Sequence, residues 1–314
     1  MPALILDNIS KTFWTGVYGF QKQKKIIENI NLKVFENEVF GLIGLNGAGK
    51  TTTIKIILGL LKPTTGHCTI LNGSVENRQI RNQIGYLPEA PYFSRQHSGR
   101  ELLNFFGSLY ELTGKKLRNR VDEILDVVQM RHAASEKIFT YSKGMLQRIG
   151  IGQALIAHPK LLICDEPMSG LDPVGYKEMR DIFLELKHRG TTVFLNTHDL
   201  NEVERICDRI GIIYKGRLLK TEEMSHVLGS THLLKYWIEL DQMDFEQIQN
   251  WPVPWIKNQD GIQIEGDQLP EALNRLASQK IYPKSIRPLS STLEAFFLKA
   301  IQDFNEAKDH EKHF

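Results

Sequence analysis

Gly44-Leu45-Asn46-Gly47-Ala48-Gly49-Lys50-Thr51 fits the pattern glycine, four residues, glycine, lysine, serine or threonine. The apolar run Val39 to Ile43 leads into it, and a helical run, Thr52 to Leu58, leads out. A glycine loop between a strand and a helix start presents backbone N–H groups that carry partial positive charge and have no carbonyl of their own to bond. Such a place takes phosphate. Glycine at 44, 47 and 49 lets the backbone approach phosphate oxygens, Lys50 adds a full charge, and the Thr51 hydroxyl suits Mg2+. Taken without its flanks, the pattern also fits an ordinary glycine turn.

Further chemistry recurs downstream. Leu161-Leu162-Ile163-Cys164 closes on two carboxylates, Asp165 and Glu166, and Thr192 to Leu195 closes on Asn196-Thr197-His198-Asp199. Apolar runs ending in such groups place them at the carboxyl edge of a parallel sheet, where open α/β folds bind ligands. Ser142-Lys143-Gly144-Met145 opens a long helix reaching Ala157, so it offers a second set of helix-start donors. Ser169-Gly170-Leu171-Asp172-Pro173 precedes a helix over Val174 to His188.

The elements that position these groups alternate strand and helix, which predicts a doubly wound α/β sheet. Strands are expected over Ala3–Ile9, Ile26–Phe35, His67–Leu71 and Gln83–Leu87. Between the first two lies a loop whose aromatic and glycine-rich part, Phe13 to Phe20, precedes a basic one, Gln21 to Lys25. It suits either stacking on a base beside phosphate or lipid headgroups, or a greasy hairpin tip. Leu87-Pro88-Glu89-Ala90-Pro91 forces an extended exit. Helices over Gly99–Leu112 and Leu117–Met130, with a break at Gly114-Lys115-Lys116, mark a helical subdomain inserted at about residues 95–157. Beyond Met224 the pattern changes to strand 232–240, helix 244–250, strands 255–258 and 261–265, helix 269–279, strand 281–288 and helix 292–305. That βαββαβ order plus a helix predicts a small α+β, ferredoxin-like domain over 225–314, after a first domain over 1–224.

Composition sets the bounds. The chain has 314 residues, 41% hydrophobic and 24% charged, enough for one large and one small core. No apolar run approaches the roughly 18 residues of a membrane span, and no basic-then-apolar leader opens the sequence. A cytosolic protein is expected. Cys68, Cys164 and Cys207 are widely spaced, which argues against disulfides and thiolate zinc sites and for apolar filling. The net charge is +2, but residues 1–224 hold 30 Lys/Arg against 24 Asp/Glu and residues 225–314 hold 9 against 13. A basic body suits a phosphate-rich ligand or anionic lipid, and equally a solvated surface.

In this order the pieces resemble the nucleotide-binding domain of ATP-binding-cassette (ABC) transporters, over about residues 3 to 220. Gly44 to Thr52 resembles the family's Walker A loop, including Thr52, and Leu161 to Glu166 its Walker B strand. Phe13 resembles the aromatic that stacks on adenine, and Glu89 sits where the Q-loop usually has Gln. Ser142-Lys143-Gly144-Met145 resembles the signature Ser-Gly-Gly-Gln, Ser169 to Asp172 the D-loop, and His198 the switch histidine. The antiparallel β edge of such cassettes is implied too. Leu293 to Leu298 resembles the segment that closes the C-terminal extension of bacterial ABC-2-type drug, lipid and envelope exporter ATPases.

The resemblance implies an ATPase using ATP and Mg2+, with Thr51, Asp165 and Glu89 at the metal, Glu166 as general base and His198 at the γ-phosphate. It implies a head-to-tail homodimer in which each ATP lies between one chain's Walker A loop and the other's signature. It also implies separate membrane-spanning permease subunits, peripheral attachment at the cytoplasmic face of the inner (plasma) membrane, and no nucleic-acid ligand. Three residues depart from the pattern. Glu89 keeps an oxygen ligand while adding charge, and Lys143 and Met145 replace glycine and glutamine in the signature. Two alternatives are weaker. Soluble ABC ATPases acting on ribosomes or nucleic acid usually carry two cassettes or a long coiled coil. A regulatory GTPase would match Asp172 to Gly175 as D-x-x-G but needs an N-K-x-D guanine reader.

Overall fold

The computed structural model describes residues 1–15, 22–230, 233–240, 256–258, 261–290 and 292–312. The chain divides into two compact units, Met1–Thr221 and Glu222–Phe314. The elements begin with β1 (Pro2–Thr15), β2 (Lys22–Phe35), β3 (Val39–Ile43), α1 (Lys50–Ile57), β4 (Thr65–Ile70), α2 (Arg78–Arg81) and β5 (Ile84–Leu87). Next come α3 (Gly99–Leu109), α4 (Gly114–Val127), α5 (Lys143–Leu155), β6 (Leu161–Asp165), α6 (Pro173–His188) and β7 (Thr192–Thr197). The first unit closes with α7 (Leu200–Ile206), β8 (Arg209–Tyr214) and β9 (Arg217–Glu223), whose end crosses the division.

Six strands form the main sheet in the order β5-β6-β7-β3-β8-β9. From β5 to β8 every neighbour is parallel. Every residue of β3, β6 and β7 is buried, which is why these segments read as continuous rather than alternating apolar runs. The register sets Ile43 level with Thr197 and Asp165 level with Asn196. The residues that follow these strands therefore leave the sheet along one carboxyl edge.

A second, antiparallel sheet has the order β2-β1-β4. Its inward residues Leu4, Leu6, Ile30 and Leu32 share a core with Ile54 and Ile57 of α1 and with Phe40 and Phe194 of the main sheet. That burial holds the helix after the glycine loop from both sides. The first two strands run further than expected: Phe13 and Trp14 are strand residues, opposite Lys24 and Gln23. Pairing across the hairpin satisfies their backbone groups, an interaction that propensity over each segment does not register. Residues 16–21 of the expected loop lie outside the described residues.

The inserted segment is helical. Ser98 starts α3 with a capping box, Oγ accepting the Glu101 N–H at 3.2 Å while Glu101 Oε2 accepts the Ser98 N–H at 2.7 Å. Gly114-Lys115-Lys116 opens α4 instead of breaking the chain, and α4 ends at Val127 rather than Met130. α7, β8 and β9 carried no sequence expectation. β8 and β9 join through Lys215 and Gly216, both at positive φ (47° and 80°), the geometry of a two-residue hairpin turn.

The second unit contains α8 (Met224–Gly229), β10 (Lys235–Glu239), β11 (Ile256–Asn258), β12 (Gly261–Glu265), α9 (Leu269–Ser278), β13 (Ser285–Pro288) and α10 (Thr292–Lys312). Its sheet has the order β11-β12-β10-β13 with every neighbour antiparallel. Ile238, Leu240, Ile262 and Ile264 pack against Ala272 and Leu276 of α9. The expected helix over 244–250 lies outside the described residues. α10 runs to Lys312, past the expected end at Asn305.

Candidate functional site

The glycine loop, Glu89, Glu166 and His198 line one cleft of about 430 Å3, with Lys24 and Ile26 of β2 on its wall. Leu45 to Thr52 form its floor. Gly47 takes φ +79°, and a Cβ there would meet no protein atom within 4 Å, so the loop turns a bare backbone into open space. Gly49 takes φ +111°, and its Cβ would fall 2.6 Å from Ile27 Cγ2. α1 begins here with no side-chain cap, leaving its first N–H groups to an anion.

Lys50 is buried and its Nζ donates to Gly44 O at 2.7 Å. The same Nζ lies 3.7 Å from Glu166 Oε1, and His198 Nδ1 lies 2.9 Å from Glu166 Oε2. One carboxylate thus stands between a lysine and an imidazole. Glu166 itself has φ +49°, a strained conformation for a non-glycine residue. Asn196 over-determines it, since both its carbonyl (3.0 Å) and its Oδ1 (3.1 Å) accept the Glu166 N–H.

Asp165 is 5% exposed. Burial raises its carboxyl above the usual range; Asn196 holds it down, Glu166 and Glu89 push it further up, and Lys50 lowers it. Among the described residues no three His, Cys, Asp or Glu side chains form a metal cage. One carboxylate and the exposed Thr51 hydroxyl instead fit a hard cation that keeps phosphate and water oxygens as its other ligands.

The other expected site residues lie elsewhere. Phe13 does not line the cleft; it pairs with Lys24, which does, and carries Lys11 Nζ 5.2 Å from its ring centroid. The Ser142 hydroxyl caps α5, accepting the Met145 N–H at 3.3 Å. A Cβ at Gly170 would fall 2.6 Å from Lys143 Nζ, and one at Gly144 3.7 Å from Leu171. The 142–145 segment therefore meets the 169–172 segment, outside the cleft. Asp172 caps α6, its Oδ1 accepting the Gly175 N–H at 2.8 Å.

Four residues that the sequence did not assign to the site belong to the setting. Gln147, 1% exposed, donates Nε2 to Glu89 O at 2.8 Å and so ties α5 to the cleft rim. Asn196, Lys24 and the buried Glu202 are the others. Glu202 lies beside the buried Val203 and Ile206 on α7.

A second cleft, of about 370 Å3, lies where β5 exits toward α3, lined by Tyr86, Pro88, Pro91, Tyr92, Phe93, Phe106 and Tyr110. Tyr92 is 95% exposed. Among the described residues no helix is long and apolar enough to cross a membrane.

Residues 27–169 match the family model for ABC transporters. An uncharacterised ABC transporter ATP-binding protein of Nostoc sp. is 38% identical over 96% of this chain and 90% of its own. The bacitracin transport ATP-binding protein of Bacillus licheniformis is 39% identical over 70% of this chain and 71% of its own. Among solved structures, an ATP-binding subunit of an ABC transporter superposes with a TM-score of 0.62 at 30% identity, covering 73% of this chain and 92% of that one. A dimeric ATP-binding cassette in a post-hydrolysis state, bound to ADP and Pi, superposes with a TM-score of 0.63 at 26% identity, covering 70% and 98%. With the glycine loop, Glu89, Glu166 and His198 converging on one cleft, the chain belongs to the ABC transporter family as an ATP-binding ATPase cassette.

Proposed function

We propose that this chain powers an exporter whose membrane-spanning permease is a separate polypeptide, and that it works as a head-to-tail homodimer. One observation carries the reading: the cleft holds Lys50, Glu89, Glu166 and His198 but none of Ser142 to Met145. It is half of a site. The α5 start of a second copy supplies the other half, so ATP joins the two chains and its hydrolysis releases them.

Within the cleft, the α1 N–H groups and Lys50 hold the β- and γ-phosphates. Thr51 and Asp165, with Glu89 nearby, would hold Mg2+, which when bound would supply positive charge to neutralise the phosphates. Glu166 takes the proton of the attacking water, and His198 positions Glu166 and contacts the γ-phosphate. Phe13, on the strand face of Lys24, stacks on adenine.

The aromatic cleft beside Tyr92 is the surface for the permease, which places the chain peripherally on the cytoplasmic face of the membrane. The resemblance of Leu293 to Leu298 to the closing segment of exporter ATPases is what favours export as the direction. We read residues 1–224 as the ATPase domain and 225–314 as a ferredoxin-like accessory domain serving dimer contact or regulation; the strand order of its sheet supports that reading.

Glu166→Gln tests the mechanism. The expected outcome is an ATP-dependent dimer, seen by size-exclusion chromatography, with turnover lowered by about 10^2 to 10^4-fold. Robust hydrolysis by that variant removes Glu166 as the base. Retention of the tagged chain on washed membranes, lost when Tyr92 and Phe93 become serine, tests the transport role.

A further inference from the structure

α7 carries a buried acid for which the chemistry above has no use. Glu202 is 4% exposed and lies beside the buried Val203 and Ile206. Packing alone favours an apolar residue there, because a buried carboxylate costs free energy unless it is partnered. Its partner is specific: Thr197 Oγ1 donates to Glu202 Oε2 at 2.9 Å. The same hydroxyl oxygen accepts the Asp199 N–H at 3.0 Å, and Asp199 Oδ1 accepts the Asn201 N–H at 2.9 Å. Both residues flanking His198 are thus tied to one buried carboxylate. His198 itself reaches Glu166 at 2.9 Å.

We propose that Glu202 is the positioning residue of His198: through the Thr197 hydroxyl it holds the turn that aims the imidazole at Glu166. In its catalytic consequence the proposal rests on the reading of the cleft as the site of ATP hydrolysis. The groups around Glu202 are named by the fold. Asp199 caps its helix and Arg205 lies on it, His198 and Glu166 directly follow β7 and β6, Tyr176 faces it from α6 and Cys207 follows α7. Burial pushes the Glu202 carboxyl up to about 7; the Thr197 hydrogen bond lowers it, Asp199 and Glu166 raise it, and His198 lowers it.

The sign follows from that direction. A carboxyl held above its usual 4.5 contributes stability that is complete below that value and is lost as pH rises through about 7. Above pH 7 the ionised Glu202 therefore costs stability, while its link to Thr197 becomes charge-assisted and stronger. A residue kept for packing would lose nothing as glutamine. A positioning residue would.

The test uses the full chain with Glu202→Gln, Thr197→Val, His198→Ala and the combinations with His198→Ala. At pH 8, Glu202→Gln should raise Tm by a few degrees. In the nucleotide-free protein, both Glu202→Gln and Thr197→Val should shift the His198 ring resonances seen by NMR. That arm needs no turnover, so it judges the positioning even if the chain proves not to hydrolyse ATP, which would sink the functional reading instead. In turnover, Thr197→Val should lower kcat about tenfold and Glu202→Gln about threefold, with KM within twofold, since one charge-assisted hydrogen bond is cut or weakened. The rise of kcat through about pH 7 should vanish in Glu202→Gln. Neither substitution should add to His198→Ala. Unchanged His198 resonances, or losses that multiply with His198→Ala, would overturn the proposal.

Discussion

Two helices of the first unit carry glycine at their starts, α1 at Gly49 before it and α5 at Gly144 in its first turn, and the chain finishes them in opposite ways. α1 starts after Gly49 at φ +111° with no side-chain cap, whereas α5 starts after Ser142, whose own hydroxyl accepts the Met145 N–H. Lys50, Glu89, Glu166 and His198 surround the α1 start, while Gly170 and Leu171 lie against the α5 start. Both ends carry the same partial positive charge. Only the first has an acid and a histidine within reach of it, so it can do chemistry; the second offers a surface. In the proposed dimer, one loop would bind and the other complete.

That difference predicts asymmetric effects of matched substitutions. Lys50→Ala should weaken ATP binding by roughly 2–5 kcal/mol, or about 30- to 5,000-fold in Kd by titration calorimetry, because it strips a buried charge from its partners. Lys143→Ala should leave Kd for the isolated chain within about twofold, since that lysine lies outside the cleft. Equal losses from the two would erase the distinction.

Glycine substitutions sharpen it next. Gly47→Ala forces an alanine to φ +79° and should cost about 1–2 kcal/mol in urea unfolding, besides crowding the loop. Gly144→Ala meets Leu171 only at 3.7 Å and sits in helical backbone. It should stabilise by about 0.5–1 kcal/mol while lowering turnover, because in the proposed head-to-tail dimer the added methyl would face the second copy. A Gly144→Ala chain with full turnover would detach that surface from the site.

The caps give the smallest effects. Asp172→Ala removes the acceptor of the Gly175 N–H and should cost about 1 kcal/mol, a Tm drop of roughly 2–4 °C in a unit of this size. Ser142→Ala should cost a similar amount through α5, with ATP affinity of the monomer retained. A loss of affinity there would mean that the two helix starts communicate within one chain, for which Gln147 on Glu89 is the visible route.

The site was readable wherever its residues follow one another. Gly44 to Thr51, Asp165-Glu166 and Thr197-His198 each end a buried strand, and the strand itself announces them as an apolar run. The departures have a common origin. The length of β1 and β2 comes from pairing across the hairpin, and Gln147 and Glu89 stand 58 positions apart. Asn196 looks like one more polar residue until its side chain is found under Glu166.

Local order of residue types therefore settled that phosphate is bound, which helix starts are offered, and which strands deliver carboxylates, because those properties depend on contiguous backbone and on period. The fold settled which of them meet. Parallel register brought Glu166 and His198 over Lys50 and left Ser142 to Met145 outside. It did so through burial of β3, β6 and β7 between layers, a long-range packing that a short window of residues does not encode.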